Sequence, residues 1–281
     1  MMTIWVMARL TFREAARRKI LLAALIFGLL FLVIYSLGFY LIRQEYNRSV
    51  DLSQQSLMVH EMSNFLVMAG LYTVNFLTVM MTVLTSVDTM SGEITSGTIH
   101  TIVSKPVKRW EILMGKWIGY VGLLTLYLVM MAGGVVLAVF LIAGYTPPNL
   151  LAGLSLMWLT CLLLLSVSFF GGSQFSTLAN GVMVFGLFGI AFIGGWIEQF
   201  GALVKNDTAI SVGIISSLIL PTEALWRRAA FEMQSPLSTV LGGATPFSSI
   251  SVPSPLMVIY AGVYILVALV LAVRTFSRRD L

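Results

Sequence analysis

The chain has 281 residues, of which 58% are hydrophobic and only 10% are charged, and its formal net charge is +5. Its mean hydropathy is +0.93. Because soluble domains carry about 25% charged residues, this composition excludes an ordinary soluble protein and indicates an all-α integral membrane protein.

Residues 3–19 predict an amphipathic helix ahead of the first membrane span. At about 100° per residue, one face carries Ile4, Trp5, Ala8, Phe12 and Ala15, and another carries Arg9, Arg13 and Arg17. Such a helix lies along the membrane surface with its cations near anionic headgroups. Two roles stay open for it: a lipid anchor that sets orientation, or a brace that contacts a partner protein.

Six apolar segments are long enough to cross a bilayer, since about 20 helical residues span about 30 Å of hydrocarbon. We predict spans at about residues 20–42, 64–87, 117–143, 150–170, 181–197 and 256–273. No charged residue occurs between Lys116 and Glu198, and the paired prolines Pro147 and Pro148 separate the third span from the fourth. The chain is therefore predicted to form one transmembrane domain over residues 1–281.

The basic residues predict which loops share a side of the membrane. Residues 1–19, residues 88–116 and the C-terminal tail hold twelve of the seventeen Lys and Arg residues. With an even number of spans, these three regions fall on the same side. The positive-inside rule then places both termini and the 88–116 loop in the cytoplasm. We expect the protein to lie in the cell inner (plasma) membrane.

Two predicted spans carry unusual residues on one face. The second span has a strip of uncharged polar side chains, of which Asn75, Thr78, Thr82 and Thr85 are the candidates for lining a pathway. Such groups either line a water-accessible path or hydrogen-bond a neighbouring helix. The fifth span places small residues at Gly186, Gly189, Ala191 and Gly195, which predicts a helix-packing or dimer surface, because small residues let backbones approach closely.

Residues 91–117, "SGEITSGTIHTIVSKPVKRWEILMGKW", are polar and rich in turn residues. Gly97 ends one helix and Thr98 caps a short second one, whose apolar face includes Ile99 and Ile102. Pro106 is predicted to begin a helix that continues into the third span. An exposed apolar face on a rigid projection predicts a docking partner, and the alternative is a surface elbow folded back onto the spans.

Residues 198–255 are predicted to face the opposite side. "AISVGIISSLILP" is too short to cross a membrane and is interpreted as a re-entrant or interfacial hairpin. "PTEALWRRAAFEM" follows as a short helix that starts near Pro221.

The sequence predicts no catalytic, cofactor-binding or metal site on this chain. It has no GxxxxGK[ST] phosphate loop, and its single cysteine, Cys161, together with the isolated His60 and His100, offers no metal-ligand spacing. The predicted spans contain no Asp, Glu, Lys or Arg. An ion-coupled secondary carrier is therefore disfavoured, since such pumps use intramembrane charges as relays.

The loop between the second and third spans also resembles a known family. The matching residues are Asp88, Glu93, Gly97, Thr98, Pro106, Arg109, Glu111, Gly115, Lys116 and Gly119. This pattern is similar to the coupling region of ABC-type-2 exporter permeases, especially the subgroup containing the permease subunit linked to copper loading of nitrous-oxide reductase. "LPTEALWRR" resembles a motif of that subgroup, with Leu220 where the motif has Asn.

The resemblance implies a dimer of permeases in the membrane lipid, each with a separate ABC ATPase subunit that carries the ATP and Mg. Two ATPase copies would then seat on residues 88–116 of the two permeases, and the second and fifth spans would line the substrate route. The implied coupling residues are Glu93, Gly97, Thr98, Ile99, Ile102, Pro106, Arg109, Glu111 and Lys116. Copper does not transfer with the resemblance, because the sequence shows no ligand cluster.

The expectation from sequence is thus an ATP-driven exporter subunit that is not itself an enzyme and has no nucleic-acid partner. A non-transporting scaffold that recruits a soluble protein through the same loop stays as the alternative, followed by the secondary carrier.

Overall fold

The computed structural model describes residues 2–49, 55–95, 108–235 and 251–278. All regular structure in these ranges is helical. The helices are α1 (Met2–Ala16), α2 (Lys19–Ser49), α3 (Gln55–Thr95), α4 (Arg109–Ala143), α5 (Leu150–Gln174), α6 (Thr177–Val204), α7 (Asp207–Ile219), α8 (Thr222–Met233) and α9 (Leu256–Arg278). The predicted fold class, an all-α integral membrane protein, is confirmed.

Six of the described helices, α2 to α6 and α9, are long and apolar enough to span a membrane, as predicted. α3 and α5 lie at the centre of the bundle, and 61% of the most apolar window of each is buried. α2 lies at the periphery, where only 11% of its window is buried. The least buried of the six spans is thus also one of the two most apolar, with α9.

α6 is longer than the predicted fifth span of residues 181–197. It has 28 residues and begins at Thr177, where the Ser176 hydroxyl oxygen accepts a hydrogen bond from the Ala179 N–H at 3.4 Å. At its other end the helix continues through Glu198, which the sequence analysis took as the limit of the apolar run. Glu198 is only 3% exposed, because Arg227 of α8 pairs with it inside the protein.

α7 and α8 follow α6 as two short helices of 13 and 12 residues, with a bend of 108° between them. Their bend lies at Leu220 and Pro221, where the sequence analysis placed the start of the second short helix. α7 is about 20 Å long at 1.5 Å per residue, which is shorter than the hydrocarbon core. This length and the bend agree with the predicted hairpin.

α1 packs across the start of α4, and two glycines permit the close approach. A Cβ atom built on Gly119 would lie 2.7 Å from the carbonyl oxygen of Ala8, and one on Gly115 would lie 3.0 Å from that of Ile4. The predicted apolar face of α1 is therefore divided between two environments. Ala8 and Ala15 are buried against the protein, whereas Trp5 is 72% exposed.

Side-chain contacts define two ends of the bundle. The basal end, as we call it, contains residues 14–19, 88–95, 108–116, 173–180 and 274–278. The distal end contains residues 60–64, 144–149, 198–235 and 251–256. Arg18 approaches Asp88 at the basal end, and Tyr145 donates a hydrogen bond to Asn64 at 3.0 Å at the distal end. The N-terminal helix, both flanks of the 88–116 loop and the end of α9 thus share one end, as an even number of spans requires.

Candidate functional site

The residues predicted to couple the chain to a partner belong either to the basal end or to the segment that connects α3 and α4. Gly97, Thr98, Ile99, Ile102 and Pro106 lie outside the described residues. Glu93 lies in the last turns of α3, and Arg109, Glu111 and Lys116 lie in the first turns of α4. The structure therefore describes the two helix ends that carry the loop, the end of α3 and the start of α4. We call these helix ends, with the segments bonded to them at the basal end, the frame.

The frame includes a capped start of α4. Lys108 is extended, with φ −71° and ψ 136°, and its backbone N–H donates to the Glu111 carboxylate at 3.3 Å. A carboxylate in the first turn also stabilises the positive end of the helix dipole. The prediction of one continuous helix from Pro106 through Arg109 is wrong, because the capped helix begins at Arg109.

Arg109 and Lys116 face their own chain. The Arg109 guanidinium donates to the carbonyl oxygen of Ser277 at 3.4 Å, which ties the start of α4 to the end of α9. Lys116 is 3% exposed and lies on the buried side of α4. Both residues were predicted to couple the chain to a partner. In the structure Arg109 ties α4 to α9, and Lys116 is buried within its own chain.

Asp88 connects three helical segments at the basal end. One carboxylate oxygen lies 3.7 Å from the Arg18 guanidinium, between α1 and α2, and the other accepts a hydrogen bond from the Thr177 hydroxyl of α6 at 3.3 Å. Thr177 also shares a 2.9 Å hydrogen bond with Ser91. Since half-exposed ion pairs contribute about 1 kcal/mol or less, this network fixes the register of α3 against α6 more than it stabilises the fold.

Asn180 holds α6 to two helices in a way the sequence analysis missed. Its buried amide donates to the carbonyl oxygens of Val87 at 3.1 Å and Ser168 at 3.0 Å. Gly171 makes room for it, because a Cβ there would lie 2.2 Å from the Asn180 side-chain oxygen. The predicted spans 150–170 and 181–197 left residues 171–180 as the connection between them. The one available signal was an isolated amide, Asn180, next to Gly181.

We expect Asn180→Ala to lower the free energy of unfolding by about 1–3 kcal/mol, because a buried amide and both of its hydrogen bonds are lost. Thermal unfolding of the detergent-purified protein measures this. Ser155→Ala is the control, since that hydroxyl is exposed and bonds only to Ala152 of its own helix. Equal midpoints for the two variants would contradict the bridging role of Asn180.

The predicted pathway residues are buried inside the single chain. Asn75, Thr78, Thr82 and Thr85 are 7%, 1%, 0% and 3% exposed, respectively. The three threonine hydroxyls each donate at 2.7 Å to the carbonyl four residues earlier. Cys161 of α5 lies beside Thr82. The sequence analysis left two roles open for this strip, a water-accessible path or contact with a neighbouring helix. Burial within a single copy of the chain favours contact with a neighbouring helix.

The small residues of α6 divide into two groups. Ala191 is fully buried, and a Cβ on Gly195 would lie 2.1 Å from the Glu223 side chain, so this pair packs within the chain. A Cβ on Gly186 or Gly189 would meet no atom within 4 Å. Only Gly186 and Gly189 therefore remain available to a second copy.

A buried ionic cluster at the distal end joins α6, α7 and α8. The Arg227 guanidinium donates to Glu198 at 2.8 Å and to the Ser217 hydroxyl at 3.2 Å, while Ser251 donates to Glu198 at 2.7 Å. Burial raises the pKa of the nearby Glu223 carboxyl to about 7, against the lowering effect of Arg227. The sequence analysis counted Arg227 as an outward-facing cation, whereas it is only 2% exposed.

The family model described as "ABC-2 family transporter protein" matches residues 5–281, which is nearly the whole chain. The chain belongs to the ABC-2 family of transporter proteins. The six spans lie inside the matched region, as does the first helix from Trp5 onward. No curated protein gives a significant match.

Family membership identifies this protein as a multi-pass transmembrane component of an ABC transporter. Such components are generally not themselves catalytic, and the family in general implies an ATPase partner. The narrower resemblance, to the permease subunit linked to copper loading of nitrous-oxide reductase, finds no support in the family match. Within the described residues, no three His, Cys, Asp or Glu side chains are grouped to hold a metal ion.

Proposed function

We propose that this ABC-2 family member is the permease of an ATP-driven exporter, that it acts as a dimer, and that a separate ATPase subunit moves it through the 88–116 loop. Two ATPase copies, each with ATP and Mg, would seat on the cytoplasmic loops of the two permeases. The protein would then lie in the inner (plasma) membrane, with its basal end facing the cytoplasm.

The observation that carries this proposal is that both helices flanking the loop are tied to other helices of the bundle at its basal end. The loop leaves from α3, which is bonded to α6 through Asp88 and Asn180, and returns into α4, which is bonded to α9 through Arg109. α1 is packed on α4 at Gly115 and Gly119. A displacement of the end of α3 or the start of α4 would therefore be passed on to α6, α9 and α1.

The same contacts indicate which helices a movement of the loop would reach. α3 holds the buried polar strip and α6 holds Gly186 and Gly189, so a shift of the loop moves both candidate pathway and candidate dimer elements together. Driving a two-state switch from 1:99 to 99:1 takes about 5.5 kcal/mol, which ATP-dependent closure of a partner must deliver through this frame.

The docking face predicted on the loop gives the test. We expect Ile99→Asp with Ile102→Asp to reduce the ATPase activity that co-purifies with the tagged chain at least tenfold, because two carboxylates replace the apolar contact with the partner. The measurement is vanadate-sensitive ATP hydrolysis after affinity purification from native membranes.

A matched double variant at the distal end, Val204→Asp with Val252→Asp, changes two exposed apolar residues in the same way and is expected to retain the ATPase. The proposal fails if both double variants retain the ATPase equally. If the ATPase co-purifies but its hydrolysis rate is the same with and without the permease, the scaffold is the correct function instead.

A further inference from the structure

α5, α6 and α9 leave an open apolar cleft between them. α6 and α9 both pack on α5, and the cleft of about 420 Å³ lies along the gap between them. Its walls include Val167 and Phe170 of α5, Met183 and Leu187 of α6, and Val267 and Leu271 of α9. Val267 is 52% exposed, so no helix of the described chain covers this side of the cleft.

A second, more polar cavity of about 610 Å³ lies beside the cleft at the basal end. Leu271 lines both cavities, and Gln174, Arg274 and Arg278 line the polar one. Neither arginine pairs with a carboxylate in the described part of the chain. Two exposed guanidinium groups thus lie next to the basal end of the apolar cleft.

A single face of α9 builds this arrangement. Tyr264, Val267, Leu271, Arg274 and Arg278 fall within roughly an 80° arc at 3.6 residues per turn. The rise from Tyr264 to Arg274 is about 15 Å, which is half of the roughly 30 Å hydrocarbon thickness. The apolar part of the face therefore matches the depth of one leaflet, and the arginines lie at the level of its headgroups.

We propose that an anionic phospholipid of the basal leaflet binds here, with one acyl chain in the cleft between α6 and α9 and its phosphate between Arg274 and Arg278. Arginine binds phosphate oxygens through paired N–H groups, and an acyl chain fills an apolar groove that water would occupy poorly. The two arginines, which pair with no carboxylate in the described part of the chain, are complementary in charge to an anionic headgroup. Charge complementarity therefore selects the lipid, and this inference does not rest on the coupling role.

The test titrates the detergent-purified full chain with palmitoyl-oleoyl-phosphatidylglycerol and reads the bound lipid by native mass spectrometry. Phosphatidylcholine with the same acyl chains is the neutral comparison, and inorganic phosphate is the competitor without an acyl chain. We expect phosphatidylglycerol to bind more tightly, and Arg274→Ala with Arg278→Ala to weaken its binding roughly 30-fold, since each basic residue near the headgroups contributes about fivefold. Arg274→Lys with Arg278→Lys is expected to keep most of the binding, because the charge is retained.

Val267→Trp tests the acyl chain by filling the cleft, and it is expected to weaken binding at least tenfold. Val270→Trp is its matched control, because Val270 lies on the same helix, is 64% exposed and does not line the cleft. Equal binding of the two phospholipids, or equal effects of the two tryptophans, would overturn the proposal. So would full displacement by inorganic phosphate, which indicates a headgroup site alone, or a Val267→Trp chain that loses a dimer, which indicates that a second copy fills the cleft.

Discussion

Glu198→Ala is expected to lower the free energy of unfolding by about 3–5 kcal/mol, because it leaves the Arg227 guanidinium buried without its counter-ion. Arg227 is 2% exposed, and its one other hydrogen-bond acceptor among the described residues is the Ser217 hydroxyl, at 3.2 Å. α6, α7 and α8 meet at this pair, so the loss is expected to loosen the whole distal end. Thermal unfolding in detergent, followed by the fluorescence of Trp196 and Trp226, measures the change.

A pair on the same helix supplies the control. Glu232→Ala removes the carboxylate that pairs with Arg228 at 2.7 Å, where both side chains are partly exposed. We expect this variant to cost about 1 kcal/mol or less. The double variant Glu198→Ala with Arg227→Leu should recover much of the loss, because neither member of this ion pair is then left buried without the other. A cost for Glu198→Ala as small as that for Glu232→Ala would show that the buried pair is not what holds α8 in place.

Gly119→Leu is expected to separate α1 from α4. The new Cβ would lie 2.7 Å from the carbonyl oxygen of Ala8 and 2.8 Å from the Cβ of Thr11, and a backbone atom of α1 cannot rotate away as a side chain does. Overpacking of this kind costs about 1–3 kcal/mol. It falls on one interface, so we expect α1 to detach while the six spans stay folded. Trypsin cleavage at Arg13 and Arg17, followed by mass spectrometry, should accelerate at least tenfold.

Gly133→Leu on the same helix is the matched control, because a Cβ at Gly133 meets no atom within 4 Å. Its α1 is expected to resist trypsin as the unaltered chain does. If the two variants are cleaved at the same rate, the close approach of α1 to α4 is not what protects the first helix. In the proposed exporter, Gly119→Leu is also expected to weaken coupling, since α1 braces the helix into which the loop returns.

The number and order of the spans could be predicted from the sequence because each span is an uninterrupted apolar run. Such a run pays no desolvation penalty in lipid, and a single charge is costly enough to mark its end. The same rule misplaced the end of α6, where Glu198 is neutralised by a residue that lies 29 positions further along the chain. A local pattern cannot detect such a partner, because the compensation depends on how α8 folds back on α6.

The basal site shows the same division. Asp88, Arg109 and Lys116 could be selected from the sequence as a polar group between two spans. The contact of Asp88 with Arg18 and that of Arg109 with the Ser277 carbonyl could not be predicted, because each partner comes from a segment distant in sequence. The burial of Lys116 could not be predicted either, because it depends on the helices that pack against α4. Asn180 escaped notice for a related reason, since an amide beside glycines has the composition of a loop and becomes a bridge only when α3 and α5 present their carbonyl oxygens to it.

The sequence by itself thus determined an all-helical membrane domain, its six crossings and the common side of its basic segments, because hydrophobic length and charge act locally along the chain. Only the tertiary structure decided which polar residues are available to a partner and which support the fold. Burial and pairing depend on neighbours brought together by packing. For this reason Arg227 and Lys116, two cations in the sequence, are interior residues of the folded protein, while Arg274 and Arg278 remain exposed at the end of α9.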